Sequence, residues 1–216
     1  MPVPLESFSL SDLKELLAAA NSLAKFGFSE VADVSELVSS LEKAVGPLQK
    51  AVDEKDYRNL MSLISLFPAH VDIANPDNGH TPLTASAARQ DVAALKALLA
   101  SKANINLANK RGGESALYCA IGRSTEALQV LIAANADVNQ PKTDVLGFAP
   151  IHKAVSTNHV DALKALLAAK ANVNHATKGS GESPLLSAVG KSTEVLQVLI
   201  AANADVNHPK TNGWTP

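Results

Sequence analysis

The apolar positions of this chain fall into short helical stretches that recur at a regular spacing. In the clearest stretch, from Ser124 to Thr143, large apolar residues recur three and four positions apart, which is the spacing of one face of an α-helix. This stretch returns almost unchanged from Ser192 to Thr211, and looser copies occupy residues 90–110 and 158–178. A unit of about 34 residues that repeats in this way indicates a stacked array, in which each unit packs on its neighbours.

Each regular unit predicts two helices and an extended loop. The first helix is short and alanine-rich, and it follows a step such as Thr81-Pro82, in which threonine caps the helix and proline is tolerated in the first turn. The second helix carries a stripe such as Leu128, Leu131 and Ile132. Apolar residues make up 46% of the chain and aromatic residues only 4%, so we expect a core of alanine and leucine.

The repeats begin after a segment of different character. Residues 1–47 predict two helices that cap the open end of the stack, because a terminal unit would otherwise expose its apolar face to water. Residues 48–78 predict a degenerate first repeat. Regular units follow at 79–112, 113–146, 147–180 and 181–212, and residues 213–216 open a further unit. We therefore interpret the chain as the front part of a longer protein.

The repeated unit resembles the ankyrin repeat. The residues that carry the resemblance are Thr81-Pro82-Leu83, Pro150-Ile151-His152-Lys153-Ala154, and the endings Asn104-Ile105-Asn106, Asp137-Val138-Asn139, Asn172-Val173-Asn174 and Asp205-Val206-Asn207. The resemblance implies an all-α solenoid of paired antiparallel helices with projecting β-hairpin loops, whose concave face binds other proteins. Only His152 occupies the usual histidine position of the family; Thr84, Tyr118 and Leu186 stand there in the other units.

Charge and cysteine content exclude several classes of function. The formal net charge is −2, and no clustered basic face of the kind that binds nucleic acid is present. The single cysteine, Cys119, permits neither an intrachain disulfide nor a cysteine zinc set, and we expect it to be a small buried hydrophobe. The sequence shows no signal peptide and no apolar run of transmembrane length. We therefore expect a cytoplasmic protein without membrane insertion.

The sequence contains no complete catalytic or metal-binding pattern. Gly113-Glu114-Ser115 and Gly181-Glu182-Ser183 superficially resemble a serine nucleophile elbow, but both lack the following glycine and the preceding strand. His175 and His208 hold equivalent positions in adjacent units, which places them about 10 Å apart, too far for one metal ion. We expect no catalytic residue, no metal site and no cofactor.

An asparagine recurs at one position of every regular unit, and we call these residues the asparagine column. They could recognise a partner, but a structural role is favoured. Asn106, Asn139, Asn174 and Asn207 hold the same position in successive units. Asparagine tolerates left-handed backbone geometry and bonds its own turn. We therefore expect this column to shape the loops rather than to bind a partner.

The hairpin tips and the concave side are where we place the binding surface, because repeat arrays vary what faces the partner. The variable stretches are 107–114, 140–148, 175–182 and 208–214. Aromatic residues and arginine dominate interface energy, so Phe148 and Trp214 are the strongest candidates, although each could instead pack on its own hairpin. The full candidate set is Arg89, Lys110, Arg111, Glu114, Tyr118, Arg123, Lys142, Asp144, Leu146, Phe148, Lys178, Glu182, Lys191, Lys210 and Trp214.

Two functions remain open. The first is a monomeric, non-catalytic module that binds a partner protein through the hairpin tips and the concave helix face. The second is a targeting or substrate-recognition arm of a larger enzyme or effector whose catalytic domain lies beyond residue 216. Arrays with near-identical duplicated units and a helical cap are similar to those of effectors that intracellular bacteria deliver into host cells, which would place the protein in the host cytosol.

Replacing Leu131 by alanine tests the predicted buried face. We expect the free energy of unfolding to fall by roughly 2–5 kcal/mol, because the helix that carries Leu131 packs against both neighbouring units. Urea denaturation followed by circular dichroism measures the change. A loss below about 0.5 kcal/mol would place Leu131 on the solvent side and reverse the predicted orientation of the helix.

Overall fold

The computed structural model describes residues 71–72, 74–75, 78–122, 125–211, 213 and 215. Within these residues the chain forms eight helices, two in each regular unit: α1 Pro82–Ala88, α2 Val92–Ala100, α3 Ala116–Ala120, α4 Glu126–Ala133, α5 Pro150–Ser156, α6 Val160–Ala168, α7 Pro184–Ala188 and α8 Thr193–Ala201. The predicted cap over residues 1–47 and almost all of the degenerate repeat lie outside the described residues. The domain boundaries therefore stay a prediction.

The helices form two layers. The first helices of the units, α1, α3, α5 and α7, pack side by side in chain order, and each also packs on the second helix of its own unit. Among the second helices, α2 packs on α4 and α6 packs on α8. The described residues contain no β-strand; the loops are instead closed by a few backbone bonds, such as those from Asn109 N–H to the Glu114 carbonyl at 2.8 Å and from Gly113 N–H to the Asn109 carbonyl at 3.1 Å. The predicted all-α solenoid is confirmed.

The core consists of leucine and alanine, as the composition predicts. Each second helix buries at least one leucine completely, whereas Leu99, Leu167 and Leu196 are partly buried. Leu131, with 0% of its surface exposed, lies on the predicted buried face. Cys119 is 7% exposed and belongs to the same core, so its predicted place as a buried hydrophobe is confirmed. Burial raises the pKa of its thiol to about 12, which keeps the sulfur protonated at neutral pH.

The asparagine column has a structural role, but not through the predicted geometry. The side-chain oxygen of Asn106 accepts the Asp137 N–H of the next unit at 2.9 Å, and Asn139 and Asn174 bind the following units in the same way. Each turn is closed by the residue two positions earlier, as Asp137 closes the turn at Asn139. The left-handed residues just after the second helices are Lys102, Asn135, Lys170 and Asn203. The column therefore links neighbouring units in place of closing its own turn.

The third unit contains a buried histidine whose hydrogen bonding is incomplete. His152 is 1% exposed, and its Nε2 lies 3.0 Å from the Glu182 carbonyl oxygen, so Nε2–H donates to that oxygen. Its Nδ1 is buried and has no hydrogen-bond partner. Burial lowers the pKa of His152 to about 4, so the ring is neutral at pH 7 and Nδ1 is an unpaired acceptor.

The other described units have a hydroxyl group where the third unit has Ala149. Thr81, Ser115 and Ser183 cap the first helices of the other units with their hydroxyl groups, whereas Ala149 makes no side-chain cap. In the first unit the hydroxyl of Thr81 also lies 3.2 Å from the side chain of Thr84, which holds the position of His152. A hydroxyl at position 149 is therefore within reach of residue 152.

Replacing Ala149 by serine should stabilise the protein. The new hydroxyl can donate to His152 Nδ1 and restore the helix cap, and we expect the free energy of unfolding to rise by roughly 1 kcal/mol. Ser183→Ala is the matched control, since it removes an existing cap of the same register and should lower stability by a similar amount. Urea titrations of both variants measure the changes. A destabilised Ala149→Ser variant would mean that the site has no room for the hydroxyl.

The same histidine predicts a pH dependence of stability. In the unfolded chain His152 takes up a proton near pH 6.5, but in the folded protein its pKa is about 4, so the unfolded state binds more protons between these values. Stability that is present above pH 6.5 is therefore lost as the pH falls towards 4, by an amount on the order of 3 kcal/mol. Denaturation at several pH values should show a smaller loss in His152→Gln, which retains a donor for the Glu182 carbonyl. Equal losses in both proteins would contradict the assignment.

Candidate partner-binding surface

The structure describes the candidate residues except Arg123 and Trp214. Two groups can be distinguished by exposure. The exposed candidates are Arg89, Lys110, Arg111, Leu146, Lys178 and Lys191, and the partly buried ones are Glu114, Tyr118, Lys142, Asp144, Phe148, Glu182 and Lys210. The partly buried group lies on the first helices and the loops that connect successive units, so these two parts of the fold build the candidate surface together.

Lys142 holds the loop after α4 against α3. Its Nζ lies 3.4 Å from Glu114 Oε1 and 3.1 Å from Asp144 Oδ2, and it stands 5.6 Å from the centre of the Tyr118 ring. Partial burial tends to lower the pKa of Lys142, but the hydrogen bond to Asp144 and the charge of Glu114 raise it above its usual value. Burial raises the pKa of Tyr118. Lys142, Glu114, Asp144 and Tyr118, predicted separately, thus form one cluster.

Asp144 fixes the shape of the hairpin tip. Its Oδ1 accepts the N–H of Gly147 at 2.9 Å and the N–H of Leu146 at 3.2 Å. The bond from Gly147 is the main reason why the pKa of Asp144 lies below its usual value. Gly147 has a φ of +63°, and an added Cβ would meet the Lys178 side chain at 3.0 Å, so glycine suits this turn sterically. The tip is therefore preorganised.

The tip presents apolar side chains to solvent. Val145 is 86% exposed and Leu146 is 47% exposed, although the Leu146 carbonyl accepts the Lys178 N–H and ties the tip to the next loop. Phe148 is partly buried, and the centre of its ring lies 5.5 Å from that of His152, in an edge-on arrangement. Phe148 thus packs partly on its own unit, while the exposed apolar pair precedes it.

Glu182 and Lys210 form a second fixed pair, on the fourth unit. Lys210 Nζ lies 3.2 Å from Glu182 Oε2, and the Ser187 hydroxyl donates to Glu182 Oε1 at 2.6 Å. Burial alone would raise the pKa of Glu182, but the hydrogen bonds from Ser187 and Lys210 lower it below its usual value. These charges already have partners within the chain.

Two cavities lie beside the first helices, and Lys153 on α5 contributes to the walls of both. The smaller, of about 420 Å³, also meets the partly buried aromatic rings of Tyr118 and Phe148. Its lining residues are Tyr118, Phe148, His152, Lys153, Ser156, Glu182, Ser187 and Lys191. The larger, of about 650 Å³, is lined by His80, Ala88, Arg89, Gln90, Glu114, Cys119, Ile121, Gly122 and Lys153. We call the two together the Lys153 groove.

Lys153 is a central residue that the sequence-based candidate set omits. Its ammonium donates to the Tyr118 carbonyl at 2.8 Å and lies 4.6 Å from the centre of the Tyr118 ring. Burial lowers its pKa. The sequence does contain a signal: the equivalent positions hold the small residues Ala85, Cys119 and Ser187, so a lysine there is out of pattern. Since a small residue is enough for helix packing at this position in the other units, packing alone does not explain the lysine.

The groove and the tips carry side chains that can contact another protein. Among the described residues, no group of three histidine, cysteine, aspartate or glutamate side chains is placed to hold a metal ion. A search of the described helices finds none that is both long and apolar enough to cross a bilayer. What the groove and the tips offer is ammonium groups, aromatic faces, hydroxyl groups and an exposed apolar pair.

Comparison with known proteins agrees with the fold. A family model described as ankyrin repeats (3 copies) matches residues 48–142 and 140–210. The chain is also similar to the tyrosine-protein kinase Shark of Drosophila melanogaster, with 29% identity over 137 residues. That match covers 63% of this chain but only 14% of the kinase. Ankyrin repeats generally mediate protein–protein interaction and are typically non-catalytic. From its paired helices and the extent of the family match, the chain belongs to the ankyrin repeat family.

Proposed function

We propose that this chain is a non-catalytic protein-binding module that contacts its partner through the hairpin tips and the face formed by the first helices. The observation that carries the proposal is the exposed apolar pair Val145 and Leu146 on a tip that Asp144 holds in place. A preorganised apolar tip loses little conformational entropy when a partner covers it.

The Lys153 groove is a second feature that supports partner binding on the face formed by the first helices. It brings Tyr118 and Phe148 together with the lysines of α5 and of the turn before α8. Aromatic side chains contribute much of the binding energy when a partner buries them. Exposed Lys110, Arg111 and Lys178 lie on the connecting loops and can form a polar rim around such a contact. In this proposal the module is a cytoplasmic monomer.

A second candidate is a recognition arm attached to an enzyme. It is supported by the similarity to a tyrosine-protein kinase, whose matched part is only 14% of that protein. In this case the array would select the substrate or the location, and chemistry would reside elsewhere. The encoding transcript, read past the codon for Pro216, tests this candidate: an open reading frame that continues into a catalytic domain supports it, and a stop codon contradicts it.

The double variant Val145→Asp with Leu146→Asp tests the module. We expect a partner protein captured from eukaryotic or bacterial lysates by the wild-type chain to be lost from this variant, because charged side chains cannot enter an apolar contact. Ile200→Asp is the matched control, since Ile200 is 54% exposed on α8, away from the tip, and its change should leave capture intact. Affinity capture with mass-spectrometric readout, on variants with unchanged circular dichroism, measures the effect.

Equal capture of the partner by the wild type and both variants would move the contact away from the tip. Loss of capture in the Ile200 variant alone would place it on the second helices. Either result contradicts the proposed surface.

A further inference from the structure

We propose that the Lys153 groove binds an extended acidic segment of a partner protein, whose carboxylate lies between Lys153 and Lys191 and whose neighbouring apolar side chain packs on Tyr118 and Phe148. This inference rests on the proposed protein-binding function and adds the chemistry of the partner.

The first argument is that Lys153 has no ion-pair partner among the described residues. Its ammonium is partly buried and finds a backbone carbonyl and an aromatic face, but in the described part of the chain no carboxylate lies within ion-pair distance. Removing an ammonium from water without a counter-ion is unfavourable, and an incoming carboxylate would offset that cost. By contrast, Lys142, Lys164 and Lys210 each have a carboxylate partner.

The second argument is that Lys191 shares the smaller cavity. It is exposed on the turn before α8, and it also has no ion-pair partner among the described residues. The carboxylate of the same cavity, Glu182, is already paired with Lys210 and Ser187. Lys153 and Lys191 therefore both line this cavity without an ion-pair partner among the described residues, which favours an anionic group.

The third argument concerns the length of the ligand. Lys153 contributes to both cavities, so a chain anchored at its ammonium can continue from the smaller cavity into the larger one. An extended peptide supplies backbone N–H donors and side-chain carboxylates along its length. The volumes of about 420 and 650 Å³ are in the range of ligand sites.

A selection from a random dodecapeptide library displayed on phage, with the wild-type chain as bait, tests the inference. We expect the selected peptides to contain aspartate or glutamate next to an aromatic or large aliphatic residue. Synthetic copies of these peptides, followed by fluorescence anisotropy, should bind less tightly at higher salt, because the contact is electrostatic.

Matched lysine variants locate the contact. Lys153→Met retains the unbranched stem and removes the charge, so we expect its dissociation constant for the selected peptides to rise by roughly tenfold or more. Lys191→Met, at an exposed position, should weaken binding without affecting folding. Lys164→Met removes the same charge from α6, where Lys164 pairs with Glu194, and should bind as the wild type does. The melting temperature of Lys153→Met should change little, since the loss of the hydrogen bond to the Tyr118 carbonyl is offset by the removal of a partly buried charge.

The opposite results overturn the inference. Selected peptides without acidic residues, or peptides that bind the Lys153 and Lys191 variants as tightly as the wild type, would assign the groove to an uncharged segment or to none. A library that yields no binder also overturns it. If the partner of the tip experiment is nevertheless captured, the protein-binding function stands and only the acidic peptide is excluded.

Discussion

Every described unit of this protein buries its apolar face only against its neighbours, and the rest of the structure depends on that stacking. The first helices are short and rich in small residues, so α1, α3, α5 and α7 approach one another closely. The second helices complete the core with leucines that are fully buried. Because the core of the described units extends along the stack, a departure from the repeat pattern acts mainly on the adjoining interfaces. The array can therefore vary individual units without losing its fold.

The loops are fixed by polar contacts between units. The amide oxygens of Asn106, Asn139 and Asn174 each accept a backbone N–H from the next unit, which sets the spacing of the loops as firmly as the helices set the spacing of the core. The Asp144 carboxylate then orders one tip by accepting hydrogen bonds from the backbone N–H groups of Leu146 and Gly147. In the proposed function, a surface held in this way would bind a partner at low entropic cost.

The third unit differs from the other described units at three neighbouring positions. Ala149 lacks the capping hydroxyl of its counterparts, His152 is buried with one unpaired nitrogen, and Lys153 replaces a small residue. The unpaired His152 nitrogen and the partly buried Lys153 ammonium are unfavourable for the isolated fold, since polar groups that leave water without full compensation cost free energy. His152 and Lys153 line the smaller cavity of the Lys153 groove, where the proposed partner would compensate for them. Local rules that fail together in this way are typical of functional sites.

The sequence by itself determined the repeat, the helix pairs, the leucine core and the family, because these follow from a period and from local caps that recur in every unit. It also placed Glu114, Lys142 and Asp144 on the loop side. It did not identify the Lys153 groove, since the neighbours of Lys153 come from α3, α5 and the turn before α8, which only stacking brings together. Nor did it predict which groups the asparagine column bonds, because the relevant N–H belongs to the following unit. The sequence period specifies the helices and the core positions of each unit. Tertiary contacts decide which charged groups between units have a partner, because the residues that surround these groups come from more than one repeat.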